Sequence, residues 1–484
     1  MNRWLPTALF AVFLGILVER CNGAEEPTAR PAGAGVYYID ADGDGYGVAS
    51  PRGPDADDAD ATVNTPETVT RKYADIAELL KKLGYTAKRV FYIVPEDGGR
   101  NGDRGTPYGS WPALAKRLRP GDVVLFREGV YKGKYTLSCV KLKGSAASPI
   151  VIAAFPGERA MLDATEKSLA IDTCQHLVFD GFILTNSVST LGKGIGMKFS
   201  SNITVRNIES SRHYWGWIGM QDLHDILAER CVFHDNPHEH GVYLGARDKP
   251  NTNLTVRDCL MYRNGYHGFQ HNGRVTNLVL EGNVIHTNNL AGISLIMGTS
   301  NSAVRNNLIF NNNKQGIVFY AYDDKHPRIR PYDQSHNLIA GNTIWVGRHS
   351  WNGRYKTRDY TAILFRDATA AQKARMEHNI IRANTIVTQN GEAVRFSQER
   401  FAPTTVIEDN LIHRASGPNK VMTCSGKDYD FQSFESFSTH IRGNRFADPQ
   451  FADVSVGYYK TPETFDFSRR EAGAEHGGAA KPRP

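Results

Sequence analysis

Side chains able to transfer protons are concentrated in the segment His234 to Tyr243, which reads HDNPHEHGVY. Histidine and tyrosine act as acids and bases, and aromatic faces pack against sugar rings. Trp215 and Trp217 precede this segment, and a second group containing Arg263 and His267 follows it. This combination indicates acid–base chemistry beside an aromatic surface. The candidate catalytic residues are His238, His240, Tyr243, Arg263 and His267.

A repeated phrase shows how the chain brings these residues together. Apolar residues, a polar turn with Asn or Cys, more apolar residues and a Gly return at steps of 24, 28, 24 and 24 residues, and then at longer steps. The shared Asn or Cys position falls at Asn207, Cys231, Cys259, Asn283, Asn307, Asn342, Asn384, Asn410 and Asn444. Short strands with such a period predict an all-β solenoid. Equivalent residues on successive coils stack about 4.8 Å apart, so a buried ladder of Asn side chains is expected, with both Cys in structural positions.

Outward-facing positions follow from the alternation of side chains along each strand. One predicted outward column contains Tyr243, Gln270, Ser294, Val318, Leu364 and Arg395. Its neighbour contains Gly245, Asn272, Ile296, Tyr320, Arg366 and Ser397, with Lys198 upstream. The candidate substrate-binding residues are Lys198, Trp215, Trp217, Gln270, Arg366 and Arg395.

The stretch from Arg89 to Val454 resembles the pectate-lyase-like superfamily of right-handed parallel β-helices. The likeness rests on the segments FYIV, RPGDVVL and SPIVI near its start and on the coils that follow. It implies a right-handed parallel β-helix that acts on a polysaccharide. Many activities share this scaffold, so the fold alone does not identify the reaction.

The run from Asn236 to Glu239, NPHE, is similar to the Asp-Pro-His-Glu/Asp signature of mannuronan C5-epimerases. The sequence departs from that signature at Asn236, where the family has its catalytic aspartate. The resemblance implies a proton-transfer role for His238. A polysaccharide lyase acting by β-elimination on a uronic-acid polymer is the expected enzyme, with His238 or His240 as base and Tyr243 as acid. Arg263, Arg366 or Lys198 would neutralise the carboxylate, and His267 would orient its neighbour.

Three other functions stay open. A glycoside hydrolase needs two carboxylates, which Asp235 with Glu239, or Asp323 with Asp324, could supply. A C5-epimerase and a non-catalytic carbohydrate-binding or adhesion solenoid are the other two. The net charge is +6, and the loops Tyr320 to Gln334 and Gly347 to Tyr360 are basic. Their basic residues are Lys325, Arg328, Arg330, Arg348, Arg354, Lys356 and Arg358. An anionic polysaccharide is therefore the expected partner, whereas no basic run suggests nucleic acid.

A separate aspartate-rich module is expected at residues 37–66. Its acidic residues alternate beside glycines, as oxygen ligands for Ca²⁺ do, and it resembles calcium-binding repeats of secreted bacterial proteins. The candidate ligands are Asp40, Asp42, Asp44, Asp55, Asp57, Asp58 and Asp60. We expect Ca²⁺ to be structural there, and whether Ca²⁺ takes part in catalysis stays open.

The remaining segments complete the domain prediction. Residues 1–24 resemble a secretory signal peptide, so the chain is expected to be secreted or periplasmic, monomeric and without a membrane span. A connector spans 67–88, the β-helix 89–464, and a disordered tail 465–484.

Overall fold

The computed structural model describes residues 39, 42, 44–57, 59–73, 75–95, 102–246, 248–322, 333–347, 360–369, 374–389, 391–416, 419–449, 451–453 and 466–469. The predicted signal segment, Asp40, Asp58, Asp323, Asp324 and the seven basic loop residues lie outside this part of the chain.

The chain winds into stacked coils that expose three parallel β-sheet faces, and it forms a right-handed parallel β-helix. Face 1 comprises Arg89–Ile93, Asp122–Phe126, Ile150–Ala154, Gln175–Asp180, Ser201–Arg206, His224–Glu229, Asn251–Arg257, Val275–Glu281, Thr299–Ser300, Ala303–Arg305, Leu338–Ala340, Ile380–Arg382, Val406–Glu408 and Ile441–Arg442. Face 2 comprises Ile183–Thr185, Glu209–Ser211, Val232–His234, Leu260–Tyr262, Val284–His286, Leu308–Phe310, Thr343–Val346, Thr385–Gln389, Leu411–Ser416 and Arg445–Phe446. Face 3 comprises Lys193–Lys198, Trp215–Met220, Val242–Gly245, Phe269–Asn272, Ile293–Ile296, Ile317–Tyr322, Ile363–Ala368, Val394–Phe396 and Met422–Cys424.

The two ends of the solenoid differ from its middle. The long strands Gly129–Val140 and Ala160–Asp172 pair with each other, and the second of them pairs with the first strands of both faces 2 and 3. At the other end Lys427–Tyr429 pairs antiparallel with Met422–Cys424. Phe451–Asp453 pairs antiparallel with Asp466–Arg469, and the latter strand lies inside the range predicted to be a disordered tail.

The helical segments in the described part of the chain number five, and all are short. They are Pro66–Lys72, Ile76–Lys82, Trp111–Ala115, Phe431–Ser436 and the 3-10 turn Glu399–Phe401. Thr65 and Thr68 form a capping box around the first, and Asp75 caps the second, so each begins where a side chain satisfies free backbone N–H groups. Among the described residues, no helix is long and apolar enough to cross a membrane.

Stacked Ile, Val, Leu and Phe side chains fill the interior, and an asparagine ladder lines the corner between faces 1 and 2. Asn307 shows its pattern: its Oδ1 accepts from the backbone of Asn283 at 3.0 Å, and its Nδ2 donates to Asn342 Oδ1 at 2.9 Å. These bonds satisfy backbone groups that a turn would otherwise bury unpaired. The ladder continues through Asn384, Asn410 and Asn444.

The cysteine rungs are confirmed, and one predicted rung is wrong. The Cys231 backbone N–H donates to Cys259 Sγ, and the Cys259 backbone N–H donates to Asn283 Oδ1. All five described cysteines are free and buried. Asn207 is not a rung, because buried Ile208 occupies that position. Asn207 instead turns the chain with a φ of 52° and donates to Asp180 at 2.7 Å.

The N-terminal module packs onto the outer surface of face 2. Val48 forms a cluster with Val232, Leu260 and Tyr262 there, and Ile39 pairs with Val48 in an isolated bridge. A second small core joins Ala56 and Val63 of the module to Val69 and Leu79 of the connector. The module therefore covers part of the outer side of the β-helix at face 2.

Candidate functional site

A row of glycines fixes the corner between faces 2 and 3. A Cβ on Gly216 would lie 2.4 Å from the Gly241 carbonyl oxygen and 2.7 Å from Asn236 Nδ2, so this position accepts only glycine. The residue before this glycine points its side chain out of the coil. After the glycine, the inward and outward alternation of side chains along face 3 starts anew. Trp215 therefore reaches the outer side of the corner, whereas Trp217 points into the core.

The predicted binding role of Trp217 is consequently wrong. Its side chain is fully buried and packs against Phe233, with ring centroids 6.0 Å apart. The sequence pattern treated both tryptophans alike because it placed no turn between them.

Eight side chains meet on the outer side of this corner, and we call them the corner cluster. They are Tyr214, Trp215, His238, Glu239, His240, Tyr243, Tyr266 and His267. Trp215 lies at its centre, 5.5 Å from the His240 ring and 5.2 Å from the Tyr243 ring. Tyr243 is half-buried, and its hydroxyl accepts from Asn272 Nδ2 at 3.3 Å. Proton-transfer groups and an aromatic surface thus share one place.

His238 projects beside this centre. Its ring is half-buried and stacks on Tyr214 at 4.9 Å, with the two planes 15° apart. Tyr214 in turn lies 6.2 Å from Trp215. The imidazole is therefore held against an aromatic wall while part of it remains exposed.

His240 and His267 stack on successive coils, as the alignment predicts. Their rings are 5.3 Å apart and nearly parallel. The Nδ1 atom of His240 accepts from the His267 backbone N–H at 3.4 Å, and that of His267 accepts from the Ala291 backbone N–H at 3.0 Å. Burial, and then the charge of Lys314, lowers the pKa of His267 to about 3. Burial, reinforced by His267, holds the pKa of His240 well below its usual range.

Both rings are therefore neutral at pH 7 with the proton on Nε2, because a neutral imidazole accepts at one nitrogen and donates at the other. The Nε2 atom of His240 lies 3.4 Å from a carboxylate oxygen of buried Glu239. This geometry makes His240 and His267 hydrogen-bond donors through their Nε2–H groups. It disfavours the predicted role of His240 as a general base.

Arg263 lies next to the cluster but is committed to an ion pair. Its guanidinium donates to both oxygens of Asp235, at 2.8 and 2.7 Å. His234 contacts the same carboxylate at 2.8 Å and Glu209 at 3.2 Å. Burial alone would raise the pKa of Asp235, but the hydrogen bonds from His234 and Arg263 hold it well below its usual range. Arg263 therefore fits a positioning role better than a direct catalytic one.

Asn236, the position of the family's catalytic aspartate, belongs to a second ladder at this corner. It is fully buried, accepts from the backbone of His213 at 3.0 Å, and donates to Asn264 Oδ1 at 2.8 Å. The ladder runs on through Asn288 and Asn312. Asn236 thus supports the turn that carries His238 and does not face the cluster.

The other predicted binding residues are spread along face 3. The register places Gln270 beside Tyr243 on the next coil, as predicted. Arg395 shares that column but lies five coils from Tyr243, about 24 Å away. Arg366, in the neighbouring column, is exposed and lies over the Tyr320 ring at 5.3 Å. Lys198 is exposed and 2.9 Å from Asp172, while Arg395 donates to Glu392. The structure does not bring these cations to the cluster.

Two lysines that the sequence interpretation did not include lie closer. Lys193 pairs in register with Trp215, and Lys167 pairs with Lys193. Lys193 precedes a corner glycine just as Trp215, His240 and His267 do. Extending that alignment one coil upstream would have identified it.

The aspartates of the module separate into two groups. Carboxylate oxygens of Asp42, Asp44 and Asp55 all lie within 4.8 Å of one another, which suits a cation. Asp57 is paired with Lys82, and Asp60 with Lys72 and Lys82, so these two are not part of that group. Side-chain oxygens are the ligands that Ca²⁺ prefers, which makes Asp42, Asp44 and Asp55 the candidate ligands.

Comparisons with known proteins agree with the observed fold. A family model described as a right handed beta helix region matches residues 163–309 and 239–344. None of the curated proteins compared matches the sequence.

Similar solved structures include the A-module of a mannuronan C-5 epimerase from Azotobacter vinelandii, with 15% identity, a TM-score of 0.45, and coverage of 74% of this chain and 97% of that one. A lacto-N-biosidase from Eubacterium ramulus has 13% identity, a TM-score of 0.42, and coverage of 78% and 71%. A pectate lyase has 12% identity, a TM-score of 0.39, and coverage of 77% and 85%.

Proposed function

We propose that this right-handed parallel β-helix protein is an exported carbohydrate-active enzyme, and specifically a lyase that cleaves a uronic-acid-containing polysaccharide by β-elimination. The observation that supports this most directly is the position of Tyr243. Its ring lies 5.2 Å from the Trp215 ring and 5.2 Å from the His240 ring, on the outer side of one corner. Trp215 is only 8% exposed and supports the neighbouring rings from beneath, so its predicted role in direct sugar binding passes to the half-buried Tyr243 and His238. A polymer can lie over these two side chains with its reacting bonds near the phenol.

The reaction divides between two proton-transfer groups. His238 removes the C5 proton of the uronate, and Tyr243 protonates the O4 oxygen as the C4–O4 bond breaks. The products are a new reducing-end sugar and an unsaturated uronate with a double bond between C4 and C5, and no water is consumed. The neutral Nε2–H groups of His240 and His267 donate hydrogen bonds to the substrate or hold Glu239 in place.

A hydrolase on the same surface is the weaker alternative. It would need a carboxylic acid that can give up a proton and a second carboxylate across the sugar. Asp235 is held ionised by Arg263 and His234, which makes it unsuited to donating a proton. The histidine and tyrosine groups of the corner cluster fit elimination better.

The aspartates Asp42, Asp44 and Asp55 are assigned to a structural Ca²⁺ ion. They belong to the module whose Val48 packs on face 2. Calcium would hold the loop that carries Val48, and it supplies no step of the elimination.

The test is the ultraviolet absorbance of the unsaturated product while the protein acts on alginate, pectate or glycosaminoglycans. Tyr243→Phe removes the hydroxyl but keeps the ring against Trp215, and its kcat should fall by about a hundredfold or more. Tyr320→Phe, on the same face three coils away, is the matched control and should keep the parent rate.

The other outcomes separate the competing functions. Reducing ends without new absorbance would indicate a hydrolase. Inversion at C5 without cleavage would indicate an epimerase. Binding with no chemical change would indicate a carbohydrate-binding solenoid.

A further inference from the structure

One column of side chains extends the corner cluster toward the N-terminal end of the solenoid. Tyr135, Lys167, Lys193 and Trp215 are paired in register on four successive coils. Neighbouring members are about 4.8 Å apart, so Lys167 lies roughly 10 Å from Trp215. The two lysines therefore lie where the next sugars of a polymer bound at the corner cluster would pass.

Both lysine side chains lie across the outer surface of face 3. A Cβ built on Gly196 would be 3.4 Å from Lys193 Cδ and 3.6 Å from Lys167 Cδ. Gly196 belongs to the outward column that continues through Ile218 to Tyr243. Because Gly196 has no side chain, the outer surface of face 3 forms a shallow depression at this point. The alkyl chains of Lys167 and Lys193 lie beside this depression.

The two ammonium groups have no carboxylate partner among the described residues. Lys193 donates to the Leu191 carbonyl oxygen at 3.2 Å, and Lys167 lies over the Tyr135 ring at 5.3 Å. The nearby carboxylate of Glu166 is bound by the Tyr135 hydroxyl at 2.7 Å and by Lys134 at 3.0 Å. By contrast, Lys198 on the same face is neutralised by Asp172.

This arrangement carries an electrostatic cost in the free protein. Both lysines are half-buried, and like charges on adjacent coils repel each other. Burial, and then the charge of Lys167, lowers the pKa of Lys193 to about 8. A bound anion would remove this cost, because it replaces the missing counter-charge for both groups.

We infer that Lys167 and Lys193 form an anion subsite that binds a carboxylate of the polymer, on the coils immediately before Trp215. The inference rests on the proposed function for the nature of the polymer, a uronate, and adds the residues that select its charge. The sugar that reacts then lies over Tyr243 at the corner cluster, and the lysines hold the acidic sugars next to it. A sulfate group offers similar charge and is separated from carboxylate by the test.

Binding is measured by calorimetry in the Tyr243→Phe background, where the substrate is consumed far more slowly than by the parent. The ligands are a uronate oligosaccharide, a sulfated oligosaccharide and a neutral one of equal length. We expect Lys167→Gln and Lys193→Gln each to weaken uronate binding by about tenfold, with little change for the neutral sugar. Lys249→Gln is the control, since that ammonium is exposed and 3.1 Å from Asp222 on another part of the coil.

The pH dependence gives a second readout that a folding defect would not produce. Uronate binding should weaken as the pH rises through about 8, where free Lys193 loses its proton, and Lys193→Gln should lack this step. Unchanged uronate affinity in a variant that carries both Lys167→Gln and Lys193→Gln, or an equal loss in Lys249→Gln, would overturn the inference. Stronger lysine-dependent binding of the sulfated ligand would overturn the carboxylate assignment.

The two proposals fail separately. A wild-type protein that produces no unsaturated sugar, yet binds uronates through Lys167 and Lys193, would refute the lyase and keep the subsite. Normal elimination with lysine-independent binding would do the reverse.

Discussion

At the scale of single residues, the partners of several groups in and beside the corner cluster fix the charges of those groups. His240 and His267 are neutral donors because backbone N–H groups occupy their Nδ1 atoms. Asp235 is ionised because Arg263 and His234 bind it. Tyr243 and the partly exposed His238 remain as the groups best placed to exchange protons with a substrate.

Arg263 provides a test that separates a structural role from substrate contact. The Arg263→Gln variant would leave the carboxylate of Asp235 with only His234 as a strong partner in a largely buried place. We expect the free energy of unfolding to fall by about 3 kcal/mol, the usual scale for breaking a buried pair. The measurements are urea unfolding and the KM for the uronate polymer. A raised KM with unchanged stability would instead support the carboxylate-binding role predicted from the sequence.

Predictions for single residues succeeded where they depended on the repeat length of the coils. They failed where they depended on whether a side chain points into or out of the coil. Tyr243 and Gln270 share an outward column because alternation within a strand is strict. Trp217 was misplaced because the turn at Gly216 reverses that alternation, and only the packed corner shows why no Cβ fits there. The ion pair of Arg263 with Asp235 was also not predicted, since the two residues lie at turns on successive coils and the sequence does not show where their side chains point.

At the scale of elements, the asparagine ladder could be predicted because each rung repeats in the sequence. Its first member was placed one residue early, because Asn207 and Ile208 both fit the pattern and only burial distinguishes them. The second ladder, through Asn236 and Asn264, was not anticipated. Its asparagines lie in the same segments as the candidate catalytic histidines and tyrosines, so those segments were interpreted as functional.

The aspartate-rich module offers a prediction at this scale. If Ca²⁺ binds Asp42, Asp44 and Asp55, it will tie the Val48 loop to face 2 and raise the Tm, because a ligand bound only by the folded state stabilises it. Chelation should lower the Tm of the parent by a few degrees, and Asp44→Asn should abolish this difference. Asp60→Asn is the matched control. Its carboxylate pairs with Lys72, so the variant should keep its response to Ca²⁺. Equal loss in both variants would contradict the assignment of ligands.

At the scale of the whole molecule, the solenoid carries several histidines in its interior. His213 and His271 are fully buried, and burial lowers the pKa of each to about 3. His271 lies in the inward column between Leu244 and Leu295, with Nε2 3.2 Å from Asn251 Nδ2. The folded protein therefore keeps these rings neutral under conditions in which an unfolded chain would protonate them.

His234 has the opposite effect. Burial alone would lower its pKa, but hydrogen bonds to Asp235 and Glu209 outweigh burial and raise it. Its contribution to stability is fully present below the unfolded pKa of about 6.5 and is lost as the pH rises through the folded value. His213 and His271 behave in the reverse manner. Below about pH 6.5 these two histidines bind protons in the unfolded chain but stay neutral in the folded chain. Burial of the two rings therefore destabilises the protein as the pH falls toward 3.

Replacing His271 tests this balance. Each fully buried histidine of this kind should reduce the free energy of unfolding by about 2 kcal/mol between pH 7 and pH 5. His271→Leu fits the apolar column of Leu244 and Leu295, and it should lose about that much of the difference in stability between the two pH values. The measurement is urea unfolding at both pH values, with exposed His440→Gln as control. If the variant and the parent lose equal stability on acidification, His271 is not kept neutral in the folded state, and the acid sensitivity of the β-helix must come from its carboxylates instead.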